Sequence, residues 1–188
     1  MDWLTADEHV RHINKDGNRS VLTMMPARAE LFADVYAMEE EFVYRHNTVV
    51  RPQDRVFHLG DVSFKYEGHI QYIRRLNGQH FLIKGNHDRT TQLIKKGHPY
   101  AWIKDTHMLK GDQMIWLSHY AHQTWPQAHY GVMHAFGHSH GKLQNIAGRK
   151  MDVGVDCQNF APISVEEFIN QLKDITYYME DRDAKIRF

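Results

Sequence analysis

One cysteine, Cys157, stands in the whole 188-residue chain, so no intramolecular disulfide can staple the fold. A lone thiol also fits a reducing compartment, where structural disulfides are rare. No stretch approaches the roughly 18–20 apolar residues needed to span a bilayer. The opening residues, Met1-Asp2-Trp3-Leu4-Thr5-Ala6-Asp7, lack a basic segment followed by an apolar one, so no secretory signal is expected. Neither sign of charge is in excess, with Lys+Arg and Asp+Glu at 23 each. That balance excludes an overall basic field of the kind that drives non-specific nucleic-acid binding, while a local basic groove stays compatible with it. Internal repeats and low-complexity segments are also missing. These absences predict a soluble, cytoplasmic protein.

What is present is a globular composition, 42% hydrophobic and 24% charged, in a chain that fits a single domain over residues 1–188. Short apolar runs alternate with amphipathic segments. Strands are expected at 3–6, 56–59, 81–83, 114–117, 132–136 and 151–155. Lys15-Asp16-Gly17-Asn18 reads as a turn. Pro26 suits a first helical position, and Leu31, Val35, Met38 and Phe42 recur at helical spacing, which predicts a helix over about 26–46. A second helix is expected near 67–76. In the last, Ser164 and Glu167 have capping-box spacing, Ile163 and Phe168 suit a hydrophobic staple, and Phe168, Leu172 and Ile175 give the apolar face. The charged tail, 180–188, is expected to be less ordered. Strand–helix alternation early and successive strands later predict an α/β architecture with a mixed sheet.

Fifteen histidines are far more than packing requires in a chain of this size, and histidine is the commonest metal ligand. Their positions matter more than their number. Five polar motifs each follow an apolar strand: Asp7-x-His9, Gly60-Asp61, Gly85-Asn86-His87-Asp88, His119, and Gly137-His138-x-His140. Ligands in α/β sheets collect at the carboxyl ends of strands, so five such loops would converge. Carboxylate, imidazole and amide oxygen form a mixed O/N set suited to Mn, Fe or Zn, and the lack of thiolates argues against a structural zinc site. Each motif alone has a bland reading as a turn or a surface histidine. Together and in order they point to a dinuclear centre, in which a carboxylate can bridge two cations.

The ordered series D-x-H, G-D, G-N-H-D, H, G-H-x-H resembles the signature of the calcineurin-like metallophosphoesterase superfamily. It is most similar to the short, capless phosphoesterases of bacteria and phages, through Ala6-Asp7-Glu8-His9-Val10-Arg11-His12 and His58-Leu59-Gly60-Asp61-Val62-Ser63-Phe64. The likeness runs from about residue 4 to 164. It implies a four-layer α/β/β/α sandwich with mixed sheets. It also implies two divalent ions, Mn first and Fe, Zn or Ni as alternatives. Asp7, His9 and His140 would hold one ion and Asn86, His119 and His138 the other, with Asp61 between. The reaction implied is phosphate-ester hydrolysis by a hydroxide bridging the ions, with His87 as general acid and Asp88 orienting the His87 ring.

Substrate-binding candidates are Arg11, His12, His122 and Trp125, the last two in the aromatic- and histidine-rich segment 119–130. For each, a solvated or packing role is the competing reading. Asp152 and Asp156 are expected to support the metal loops, while His58, His80, His107 and His134 read as structural. With no cap domain evident, loops at about 10–25 and 120–131 would set specificity. Phosphodiester or nucleotide substrates are favoured. Phosphomonoesterase, nuclease on DNA or RNA ends, and a nucleotide- or partner-binding protein without turnover stay open.

Overall fold

The structure, a computed structural model, describes residues 1–14, 16–17, 19–143 and 147–176. Lys15 and Asn18 of the expected turn, and the tail at 180–188, lie outside the described residues. The fold is mixed α/β, with two mixed sheets. The first holds β1 (Asp2–Thr5), β2 (Arg55–His58), β3 (Gln79–Ile83), β4 (Ile103–Lys104) and β9 (Ile163–Ser164), in the order β4-β3-β2-β1-β9. Its strands β1 to β4 run parallel, and β9 closes the edge antiparallel to β1. The second holds β5 (Thr106–Leu109), β6 (Ile115–Ser118), β7 (Met133–Phe136) and β8 (Lys150–Asp152) in sequence order, with only β5 antiparallel.

Alternation along the strands decides what each face meets. Leu4, Phe57, Phe81 and Ile83 of the first sheet share one buried cluster with Ile115, Leu117, Met133 and Ala135 of the second. The interleaved residues face the other way. Leu82 joins a second cluster with Met38, Phe42, Tyr72 and Leu93, which come from the helices α3 (Val35–Val49), α4 (Tyr66–Ile73) and α5 (Thr90–Lys96). The first sheet is thus covered on both faces, as parallel sheets require. On the second sheet, Trp125, Ala128 and Val132 form a smaller cluster with Met108, Met114 and Trp116 packed against it.

The helix expected over 26–46 is broken. The residues Val21–Met24 (α1) and Pro26–Ala29 (α2, with Pro26 at its start) form single turns, and α3 begins afresh at Val35. Asp34 is the reason: its carboxylate accepts from the amides of Tyr36 and Ala37, both at 2.8 Å, which satisfies donors that an uninterrupted helix would have bonded internally. Leu31 accordingly falls in the break and is 64% exposed, so the buried stripe is Val35, Met38, Phe42 and His46. The final helix α6 (Val165–Leu172) starts as expected, with Ser164 Oγ accepting from Glu167 N at 3.1 Å. It ends before Ile175, which is exposed and not part of the apolar face. The short strands β4, β5 and β9 and the helix α5 were not expected.

Candidate metal centre

Parallel strands put their carboxyl ends on one edge, and here two sheets do so at a common seam. β1 runs into Asp7, β2 into Asp61 and β3 into Asn86; β6 runs into His119 and β7 into His138 and His140. Backbone bonds sew the loops together: Asp7 N to Gly60 O at 3.0 Å, His9 N to Asp61 O at 2.9 Å, and Gly137 N to His119 O at 2.9 Å. Between the sheets, His138 N donates to Asp7 Oδ2 at 2.7 Å, and His119 Nδ1 meets Leu59 O at 2.7 Å. Five of the seven expected ligands, Asp7, His9, Asp61, His138 and His140, have φ between 48° and 69°. Left-handed backbone costs roughly 1–3 kcal/mol per non-glycine residue and clusters where function demands it. The approach is tight enough that a Cβ on Gly85 would lie 2.2 Å from Asp61 Oδ1, so only glycine fits there.

The side chains fall into two groups. Ligand atoms of Asp7, His9 and His140 lie within 4.8 Å of one another, as do those of Asp61, His119 and His138. Asp61 Oδ2 stands between them, 3.7 Å from His9 Nε2 and 3.5 Å from His119 Nε2. Asn86 Oδ1 approaches His119 Nε2 at 2.9 Å. All seven expected ligands are therefore brought together.

The donor chemistry fits cations. With Nδ1–H given to the Leu59 carbonyl, His119 turns a lone pair on Nε2 toward the amide oxygen of Asn86, and two acceptors so close need a proton or a cation between them. Asp7 Oδ1 is buried without a hydrogen-bond partner among the described residues, which is costly unless something positive meets it. Burial pushes the Asp7 carboxyl up to about 7 and His9 down to about 3. Asp61 resists the same desolvation: the hydrogen bond and charge of His119, then His87 N and His9, hold it at about 2. His119 is raised, burial being outweighed by Asp61. Asp61 is thus an ionised carboxylate that draws positive charge to its side, here from His119.

A second layer of side chains fixes the expected ligands. Arg28 is fully buried, donates to the carbonyls of Asp7 (2.7 Å) and Glu8 (3.0 Å), and grips both oxygens of Asp156 at 2.7 and 2.6 Å. Asp156 in turn holds His140 Nδ1 at 2.8 Å, which leaves Nε2 for a ligand. Burial would raise Asp156, but Arg28 and His140 keep it well below the usual carboxylate range. Asp152 accepts from Ser139 Oγ, Gly141 N and Gly154 N. Asp152 thus braces the turn at 139–141 and Asp156 the His140 ring.

Several expectations are corrected. Asp88 does not orient the His87 ring: its carboxylate accepts from the amides of Asp61, Val62 and Gly85 at 2.8–3.0 Å, and His69 Nε2 lies 3.3 Å away. It shapes the loop that carries Asp61. Arg11 turns from the site into a bidentate pair with buried Glu39, at 2.7 and 2.9 Å. Trp125 is buried and donates Nε1 to Val132 O at 2.8 Å, so it packs the loop down. His122 is exposed and in neither ligand group; its backbone bonds to His134 Nε2 and Lys150 Nζ. His12 does reach the site, stacked on Phe64 with ring centroids 3.7 Å apart. His58, His80, His107 and His134 are structural: His58 bonds to Glu8 (2.7 Å) and His80 (3.0 Å), His134 to Trp116 O, and His107 stacks on Phe57.

His87 stays half-exposed, its Nε2 4.0 Å from Asp61 Oδ2 and its ring 4.0 Å from that of Phe64. Three participants carried no distinct signal in sequence. Phe64 ends the His58–Phe64 block but is an ordinary apolar type. Tyr120 sits with its ring 4.5 Å from His138. Arg28 reads as a solvated helical arginine until its partners, as distant in sequence as Asp156, are seen.

No protein-family profile matches the chain. The chain is similar to an uncharacterized protein, MJ1445, of Methanocaldococcus jannaschii, at 24% identity over 183 residues, covering 91% of this chain and 90% of that one. A crystal structure of the protein of unknown function AQ665 from Aquifex aeolicus superposes with a TM-score of 0.69 at 20% identity, over 91% of this chain and 98% of that one. This likeness shows the fold and nothing more about activity. Among the described residues, no helix is long and apolar enough to cross a membrane.

Proposed function

We propose that this chain is a metal-dependent phosphoesterase of the calcineurin-like metallophosphoesterase type, acting on phosphodiester or nucleotide substrates in the cytoplasm. The observation that carries the reading is the pair of donor groups meeting at Asp61, with the His87 ring beside them. The four-layer arrangement belongs to the same proposal: helices α3 to α5, the two facing sheets, and the 120–131 segment as the outer cover. Asp7, His9 and His140 would hold one divalent ion, and Asn86, His119 and His138 the other, with Asp61 shared. Mn is the first choice, with Fe, Zn or Ni as alternatives. Two such ions, when bound, lower the pKa of water and neutralise charge building on a phosphate.

The chain's own residues supply the rest. The grip of Arg28 and Asp156 sets the His140 ring, and the backbone bonds to Asp88 set the Asp61 loop, so little reorganisation is needed when substrate arrives. His87 is held by Phe64, stays accessible, and can give its ring proton to a leaving oxygen.

The test is hydrolysis of bis-p-nitrophenyl phosphate by Mn-loaded protein, abolished by chelator and restored by Mn. Asp61→Asn should lower metal content at both sites. His87→Asn should keep the metal and slow turnover by about 10²–10⁴-fold, more for alkyl than for aryl leaving groups. Metal-loaded protein inert on a broad ester panel would sink the proposal and leave the binding-protein reading.

A further inference from the structure

Two clefts meet at the wall formed by Phe64 and His87. One, of about 480 Å³, touches His9 and His140 on the side of the first donor group. Its apolar lining is Val21, Met24 and Met25 with Phe64, and Arg19 and Lys142 line it as well. The other, of about 530 Å³, begins at Asn86 on the side of the second group and is polar, lined by Arg89, Thr90, Thr91 and Gln92. The centre therefore has an exit on each side, and the two exits differ in chemistry. A phosphomonoester has a single substituent and would leave one cleft to water. A diester has two.

We propose that the substrate is a phosphodiester with two unlike arms. A nucleoside-like aromatic arm bearing a further anionic group would lie in the Met24–Met25–Phe64 cleft, and a hydroxyl-rich arm in the Arg89–Gln92 groove. The thioethers of Met24 and Met25 suit the face of a heterocycle, while Phe64, its ring lying between those of His12 and His87, braces the cleft without offering a free face. Arg19 and Lys142 suit an additional phosphate. Thr90, Thr91 and Gln92 offer hydrogen bonds to hydroxyls. The chemistry balances without a co-reactant: the oxygen of water bonds to phosphorus, one P–O ester bond breaks, and its oxygen leaves with a proton, giving a monoester and an alcohol. The inference rests on the phosphoesterase reading above but predicts more than it.

The experiment compares kcat/KM for thymidine 5′-p-nitrophenyl phosphate and p-nitrophenyl phosphate on Mn-loaded protein. The diester should be preferred, and the diester-to-monoester ratio should fall about tenfold in Met24→Ser/Met25→Ser, within the range that a few lost apolar groups produce. Thr91→Trp, which fills the polar groove from an exposed position, should lower the same ratio, whereas Tyr44→Glu on the exposed face of α3 should not. Turnover of both esters with the ratio unmoved by the cleft variants overturns the two-armed substrate and leaves the phosphoesterase reading intact. No turnover of either ester overturns the phosphoesterase reading instead. Calorimetric titration of chelator-treated protein with adenosine 5′-monophosphate probes the apolar cleft without catalysis. Arg19→Ser should weaken that binding, and absent or unaltered binding overturns the aromatic arm.

Discussion

Arg28 and Arg11 show how one residue type is put to different uses within a short stretch of chain. Arg11 is 26% exposed and shares Glu39 with Arg75, so it ties the first loop to α3. Arg28 is sealed from water and holds two loop carbonyls together with the carboxylate that sets His140. Removing one partner of a buried pair strands the other charge, at a cost of about 3–5 kcal/mol. Arg28→Met should therefore lower the urea midpoint sharply and weaken metal binding, measured by denaturation and by metal content after dialysis. An unchanged midpoint would show that Asp156 finds another cation. Arg11 makes the complementary case: a glutamate 28 positions away decides its role, and no local pattern in the chain announces that partner.

The elements differ in how plainly the chain announces them. The strands that precede the five motifs are legible because an apolar run marks a buried strand, and Gly-Asp, Gly-Asn-His-Asp and Gly-His, each bland alone, recur in order at the ends of such runs. The ligand types carry the site for the same reason. The helix break at 30–34 was harder, since apolar spacing at Leu31 mimics a continuous stripe while the capping by Asp34 is a local competitor. Strand β4, with two residues, is too short for any periodicity. Trp125 was ambiguous because aromatics serve equally as substrate platforms and as packing; its bond to Val132 O decides the matter only in three dimensions. Asp34→Ala should cost about 1 kcal/mol by releasing the first amides of α3, seen as a lower urea midpoint at constant slope. Metal content should not change, because α3 supplies none of the expected ligands, and a loss of metal would show that the break at 30–34 is coupled to the site.

At the scale of the molecule, the first sheet buries a row of imidazoles on its helix-covered face. His46, His58 and His80 are each held at about 3, chiefly by burial. Their folded pKa values lie below the ordinary 6.5, so the unfolded chain takes up protons first; stability present above pH 6.5 is lost as pH falls toward 3. Glu8, pushed up to about 8 by burial, works in the opposite sense, and its contribution is lost as pH rises from 4.5 through 8. His46 is the cleanest probe, being bonded to Asn77 O at 2.8 Å and not to Glu8. The stability difference between wild type and His46→Gln should shrink as pH drops from 6.5 toward 3. A difference independent of pH would mean that His46 titrates normally.

The seam between the sheets has a consequence for assembly. The first sheet contributes Asp7, His9, Asp61 and Asn86, and the second His119, His138 and His140, so each donor group draws on both. No intermediate with a single sheet formed can own either group whole. The proposed ions would then be held tightly only after the two halves have docked, so that their uptake would be a timer for the last step of folding and a lock against the first step of unfolding.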